Sequence, residues 1–206
     1  MNQKISFKDR LFTLLPLFLV TLICVGLVSF VNQLTKDKIQ ENKQRADLSI
    51  IKDVILDNYD NDLLLDKIAL DVPAFINKTK TVSVYRARLN NQPVGVALMP
   101  ITTKGYNGEI KLLVGIAYDG SIRGIKVISH HETEGFGDQV HQDNTDWLTI
   151  FSKKNIETTP EKKWALKKDG GEFDQLSGAT ITSRSVVNAI YPLLSYYSEH
   201  KNDFYQ

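Results

Sequence analysis

Hydrophobic positions are unevenly spread along the chain. Residues 11–35 carry no charged side chain, and residues 11–31 are dominated by Leu, Val, Phe and Ile. As an α-helix rising about 1.5 Å per residue, that run reaches about 31 Å, enough to cross a hydrocarbon core of about 30 Å. Helical spacing continues over residues 36–58, where Ile39, Ala46, Ile50, Ile51, Val54 and Ile55 recur among charges. A short second helix is predicted over residues 62–70, ending before Pro73. From Thr79 the period changes to two. Val82, Val84 and Arg86 alternate with Tyr85, Ala87 and Leu89, and Asn90-Asn91-Gln92-Pro93 turns the chain into a strand from Val94 to Met99. Ile110, Leu112, Val114 and Ile116 mark another strand, and Asp119-Gly120 predicts a hairpin to its partner at residues 122–129. A helix is predicted over residues 138–151 and a last one over residues 183–200, which Pro192 should bend. The predicted fold class is α+β: one N-terminal transmembrane helix, then a domain with an antiparallel sheet and flanking helices. The expected boundaries are 1–35 for tail and anchor, 36–75 for a helical juxtamembrane segment and 76–206 for the domain.

A cleaved signal peptide has a shorter apolar run, about 7–15 residues, ending in small residues. Here the run ends Ser29-Phe30-Val31-Asn32-Gln33, so an uncleaved anchor is expected. Lys4, Lys8 and Arg10 precede it, offset only by Asp9, whereas the basic residues beyond it are mixed with Asp37, Glu41 and Asp47. The positive-inside rule then places the N-terminus in the cytoplasm and the C-terminal domain outside. Over all 206 residues, 25 Lys+Arg against 24 Asp+Glu argue against a nucleic-acid partner. The single Cys, Cys24, lies in the predicted span. It excludes an intramolecular disulfide and any multi-Cys zinc or iron–sulfur site, and a thiol-free domain suits an oxidising compartment.

The sequence holds no P-loop, G-x-S-x-G or H-E-x-x-H, and Gly135-Phe136-Gly137 lacks the third Gly of a dinucleotide fingerprint. His130, His131, Glu132, Glu134, Asp138 and His141 crowd one segment and offer metal-ligating groups. Adjacent histidines at a strand end point to opposite faces, so the segment reads better as a polar loop, and no metal is expected. Residues 174–183, Asp-Gln-Leu-Ser-Gly-Ala-Thr-Ile-Thr-Ser, precede the last helix. Local physics leaves two readings open. In one, Ser177-Gly178 is a turn and Thr182 or Ser183 caps the helix. In the other, the free N–H groups of the helix start and the small Gly-Ala approach bind an anion, with phosphate well suited.

Asp174-x-x-Ser177-Gly178-Ala179-Thr180 resembles the flavinylation motif of bacterial FMN-binding domains, in which the last Thr is esterified to the phosphate of FMN. The wider run from Trp164 through Thr182, the Asp119-Gly120 hairpin and His131-Glu132-Thr133-x-Gly135-x-Gly137 resemble the RnfG (RsxG) family of the Rnf ion-translocating electron-transport complex. The single N-terminal span fits that family too. NqrC of the sodium-pumping NADH:quinone reductase shares the motif but is usually longer. Glu134 and Phe136 stand where the family commonly has Pro and Leu. The first restores a backbone N–H and frees φ; the second changes a side chain beside the expected ring.

The resemblance implies covalent FMN on Thr180, with Ser177, Gly178, Ala179 and Thr182 around the attachment point. It further implies ring or ribityl contacts from Glu132, Thr133 and Gly135. Asp174 either serves recognition by the modifying enzyme or ends a turn. Tyr106, Trp164 and Phe173 either stack on the ring or pack in the core. The implied function is electron transfer coupled to ion translocation across a bacterial inner membrane, with the domain in the periplasm. The implied partners are other membrane and soluble subunits and a Mg-dependent flavin transferase using FAD. Two other classes stay open on the residues alone: a cofactor-free extracytoplasmic binding or assembly module, and a metal hydrolase built on His130, His131 and His141.

Overall fold

A computed structural model describes residues 7–55, 58–74, 76–141 and 143–206. Lys4 of the predicted cytoplasmic tail lies outside the described residues, as do positions 56 and 57 near the end of the predicted 36–58 helix. Two compact units are formed, Met1–Asp47 and Leu48–Gln206.

The first unit is helical. Helix α1 is assigned over Phe7–Ile55, with Pro16 inside it, and its residues from Leu48 onward belong to the second unit. Its stretch Phe18–Ile39 is long and apolar enough to cross a membrane, and its large side chains are exposed, Phe18, Val28 and Leu34 among them. In a water-soluble fold such a surface would be buried, because apolar area is costly to hydrate.

The second unit is built on a six-stranded antiparallel sheet: β1 (Lys67–Asp71), β2 (Thr81–Leu89), β3 (Gln92–Leu98), β4 (Ile101–Thr102), β5 (Ile110–Ala117) and β6 (Ile122–Ser129). The order is β1-β2-β3-β5-β4, with β6 also paired to β5. Asn90 and Asn91, both at positive φ, close the β2–β3 hairpin between Leu89 and Gln92. Asn tolerates that conformation better than most side chains. One face of the sheet packs on the last turns of α1: Ile51, Val54 and Ile55 bury against Leu63, Tyr85, Ala97 and Leu113. Gly115 permits this approach, since a Cβ there would lie 2.0 Å from the Val54 carbonyl oxygen.

The opposite face carries the larger core. Helix α2 (Thr180–Glu199) buries Val186, Val187, Ile190, Leu193, Leu194 and Tyr197 against Val84, Leu98, Leu112 and Val114. This is the amphipathic stripe of the predicted last helix, although the helix begins three residues earlier than predicted and Pro192 is accommodated within it.

Two predicted helices are not formed. Over residues 62–70, the Asp62 carboxylate accepts from the N–H of Leu64 at 2.8 Å and of Leu65 at 3.3 Å, making a turn in place of a helical start. The following residues alternate in exposure as β1, paired antiparallel to β2. Over residues 138–151 there are two short 3₁₀ turns, Gly137–Val140 and Trp147–Phe151. Between them the Asn144 amide donates to the Asp138 carbonyl at 2.9 Å and the Thr145 hydroxyl to the Gln139 carbonyl at 2.8 Å. Side chains thus take the backbone acceptors that a continuous helix would use.

Candidate functional site

The start of α2 is shaped by a tight turn. Ala179 N–H donates to the Leu176 carbonyl at 3.1 Å, and Gly178 sits at φ +70° in the third position of that turn. A positive φ there is what a type II turn requires and what Gly supplies without strain. Because the turn delivers the chain into the helix at Thr180, Thr182 and Ser183 fall inside the first helical turn. Neither caps it; the N-cap is Ala179, with no side-chain capping bond. The N–H groups of the first turn are the positive end of the helix dipole.

Both hydroxyls have other work. Ser183 Oγ is buried, accepts from Leu176 N–H at 3.0 Å and donates to the Ala179 carbonyl at 2.9 Å, so it braces the turn from within. The buried Thr182 hydroxyl donates to Glu132 Oε2. Glu132, only 8% exposed, also accepts from the N–H of Tyr106 at 3.3 Å and of Asn107 at 3.1 Å. Nearby, Asn107 Nδ2 donates to Thr133 Oγ1 at 3.0 Å. The loop after β6, the loop before β5 and the first turn of α2 thus meet at one carboxylate.

These three segments border a half-open cavity of about 480 Å³ lined by Tyr106, Glu132, Thr133, Phe136, Gly137, Gly178, Ala179, Thr180, Ile181 and Thr182. That size lies within the range of small-molecule and cofactor sites, about 300–1,000 Å³. Of the residues singled out from the sequence, Glu132, Thr133, Gly178, Ala179, Thr180 and Thr182 come together here. Ser177 and Gly135 do not line the cavity: Ser177 is an exposed turn residue, and Gly135, at φ +76°, faces open space. Tyr106, Phe136 and Ile181 are exposed apolar side chains at its wall. Asn107 and Ile181 are not marked by any motif in the sequence; the Gly105-x-x-Gly108 spacing is the available signal for the loop that carries Asn107.

The other aromatic candidates lie in the core. Phe173 stacks on Phe151 at 4.7 Å and contacts Trp164 at 5.1 Å, and Trp164 Nε1 donates to the Thr159 carbonyl at 3.1 Å. Asp174 holds its loop in place: its carboxylate pairs with Lys167 at 2.6 Å and its carbonyl accepts from Trp147 Nε1 at 2.7 Å. Arg184 of α2 makes two bonds to Asp169, at 2.8 and 3.0 Å. These hold the Asp169 carboxyl below the usual carboxylate range and push the guanidinium up. His130 Nδ1 accepts from Glu132 N–H at 3.2 Å, and its ring lies 6.1 Å from that of His141. Among the described residues, no group of three or more His, Cys, Asp or Glu side chains is arranged to hold a metal ion.

Residues 15–54 match the RnfG N-terminal region and residues 105–195 the FMN-binding domain. The G subunit of the ion-translocating oxidoreductase complex from Shewanella piezotolerans is 37% identical over 195 residues, covering 94% of this chain and 92% of that protein. The corresponding protein of Shewanella oneidensis is 36% identical, covering 93% and 91%. That of Vibrio cholerae serotype O1 (strain M66-2) is also 36% identical, covering 92% and 91%. With similarity of this extent over both of its parts, the chain belongs to the RnfG family, the G subunits of ion-translocating oxidoreductase complexes.

Proposed function

We propose that this chain is a membrane-anchored electron-transfer subunit that carries FMN through a phosphoester on Thr180 Oγ. The observation that carries the reading is the position of Thr180, the first residue of α2, at the wall of the cavity and directly after the Gly178 turn. The surrounding residues fit the group. Uncapped N–H donors of the first turn suit a phosphate. Gly178 keeps the approach narrow, since a Cβ there would meet Phe136 Cδ1 at 2.8 Å. Tyr106 and Phe136 offer aromatic surface for a planar ring.

When bound, the flavin supplies one- and two-electron redox chemistry. The protein's contribution is retention and environment. Thr180 Oγ displaces AMP from FAD: the Oγ–P bond forms, the diphosphate P–O bond breaks, AMP leaves and the hydroxyl proton passes to solvent. A Thr hydroxyl is a weak nucleophile at neutral pH, so a Mg-dependent flavin transferase provides the activation. An ester at the phosphate leaves the ring unmodified, so the residues around the cavity set its potential.

The apolar stretch of α1 anchors the chain in the bacterial inner membrane. Lys4, Lys8 and Arg10 ahead of it, offset only by Asp9, support an N-terminus in the cytoplasm and an FMN-binding domain in the periplasm. There the domain relays electrons among the other membrane and soluble subunits of an Rnf-type complex. The test is to produce the full chain with its transferase, denature it, and view the gel band under ultraviolet light. Flavin fluorescence is expected in the wild type and absent in Thr180→Val. A fluorescent Thr180→Val band, or a dark wild-type band, contradicts the proposal.

A further inference from the structure

We propose that Glu132 is a positioning residue for flavin attachment: its buried carboxylate ties Thr182 of α2 to the 105–108 loop and so fixes how Thr180 is presented. This rests on the reading of Thr180 as the attachment residue. It departs from the expectation that Glu132 contacts the ribityl chain or the ring.

Three observations carry it. First, the carboxylate is already engaged by the protein. Oε2 receives the Thr182 hydroxyl and Tyr106 N–H, and Oε1 receives Asn107 N–H. Those donors occupy three of the approximately four acceptor positions of a carboxylate.

Second, the carboxylate sits in a socket made by two glycines. A Cβ on Gly105 would lie 2.6 Å from Oε1, and one on Gly137 would lie 2.8 Å from both Oε2 and the Glu132 Cβ and 2.9 Å from Thr182 Oγ1. Close packing of this kind fixes the side chain and leaves little freedom to follow a ligand.

Third, Thr180 and Thr182 are two positions apart on one helix, and side chains at that spacing do not face each other. Tying down Thr182 holds the first turn, while Thr180, also at the cavity wall, takes no part in the carboxylate's hydrogen bonds. Hydrogen bonds to a charged, buried acceptor are among the stronger ones, which suits the carboxylate to the task. Glutamine keeps the shape but replaces one acceptor oxygen with a donor, setting it against an N–H or O–H donor that needs an acceptor.

The experiment follows flavin attachment to the purified full-length chain in detergent, made without transferase and then mixed with transferase, FAD and Mg²⁺. Initial rates of covalent fluorescence are compared for wild type, Thr182→Ser, Thr182→Val, Glu132→Gln and the Thr182→Val/Glu132→Gln pair, with thermal unfolding recorded for each. Ile190→Ala, a core truncation away from the cavity, shows what loss of stability alone does to the rate. Thr182→Val and Glu132→Gln are each expected to slow attachment about ten-fold or more. The pair should be no slower than the worse single variant, because both break one linkage. Thr182→Ser, which keeps the hydroxyl, should recover most of the rate. Three results overturn the clamp while leaving the attachment reading intact: wild-type rates in Thr182→Val and Glu132→Gln, fully additive losses, or losses no larger than in Ile190→Ala at matched melting temperature. A wild-type chain that takes up no covalent flavin overturns the attachment reading and the clamp with it.

Discussion

Gly178 passes beneath the Phe136 ring so closely that a Cβ on it would lie 2.8 Å from Cδ1 and 3.3 Å from Cε1. The contact joins the loop after β6 to the turn that starts α2, and it sits at the wall of the cavity. It also gives a local role to one departure from the family pattern: Phe136, where Leu is common, lies over the glycine of the motif.

Gly178→Ala should therefore be damaging for two separable reasons. The φ of +70° costs an L-residue about 1–2 kcal/mol, and the new methyl collides with Phe136. Chemical denaturation of the detergent-solubilised chain should show the loss. Adding Phe136→Ala should recover the collision component and leave the backbone component; full recovery by the second change would contradict the assigned conformation.

Ser183→Ala tests the brace inside the turn. It removes the Oγ that serves both Leu176 N–H and the Ala179 carbonyl, leaving a buried donor unpaired. A destabilisation of about 1–3 kcal/mol is expected in the same denaturation assay. Ser183→Thr retains the hydroxyl and should lose less.

Legibility from sequence followed the range of the interactions. The hairpin at Asn90-Asn91, the strands on either side of Asp119-Gly120 and the stripe Val186, Val187, Ile190 and Leu194 were readable because neighbouring residues determine them. The helices expected over 62–70 and 138–151 were not, because Asp62, Asn144 and Thr145 send side-chain bonds to nearby backbone that apolar spacing does not register. The motif pointed to Thr180, while local rules offered Thr182 or Ser183 as the helix cap in one of two open readings. Ser183 bonds locally, to Leu176 and Ala179, whereas Thr182's partner Glu132 lies 50 residues away. Long-range pairing of that kind has no local periodic signature.

The buried Tyr197 and its half-buried partner Tyr205 make a prediction about alkaline stability. Tyr197 donates to the Ala117 carbonyl at 3.2 Å and lies 2.8 Å from the Tyr205 hydroxyl. Burial pushes the Tyr197 hydroxyl up to about 12, and burial also pushes Tyr205 upward. A group with a raised folded-state pKa contributes stability below its unfolded value, near 10, and that contribution is lost as pH rises towards the folded value. The melting temperature should thus fall between about pH 10 and pH 12, with phenolate absorbance of these two residues appearing together with unfolding. In Tyr205→Phe the fall over that window should be shallower. Free titration of both hydroxyls near pH 10 in the folded chain would contradict their burial.

Truncating Tyr106 to Ala tests the cavity wall without touching the attachment motif. The residue is 65% exposed, so folding should be little affected. If the ring borders the flavin, the absorption spectrum and potential of the loaded protein should shift while the amount of covalent flavin stays near wild type. An unchanged spectrum and potential would remove Tyr106 from the site.

The phosphoester proposed at Thr180 is tested most directly on the peptide that carries it. Trypsin should release residues 169–184, which contain Ser177, Thr180, Thr182 and Ser183, as one peptide bounded by Lys168 and Arg184. Tandem mass spectrometry of that peptide, from full-length chain matured with its transferase, locates any added FMN to a single hydroxyl. FMN phosphate is expected on Thr180 and on none of the other three. An unmodified peptide from protein that still holds flavin, or modification at Ser177, Thr182 or Ser183, would contradict it.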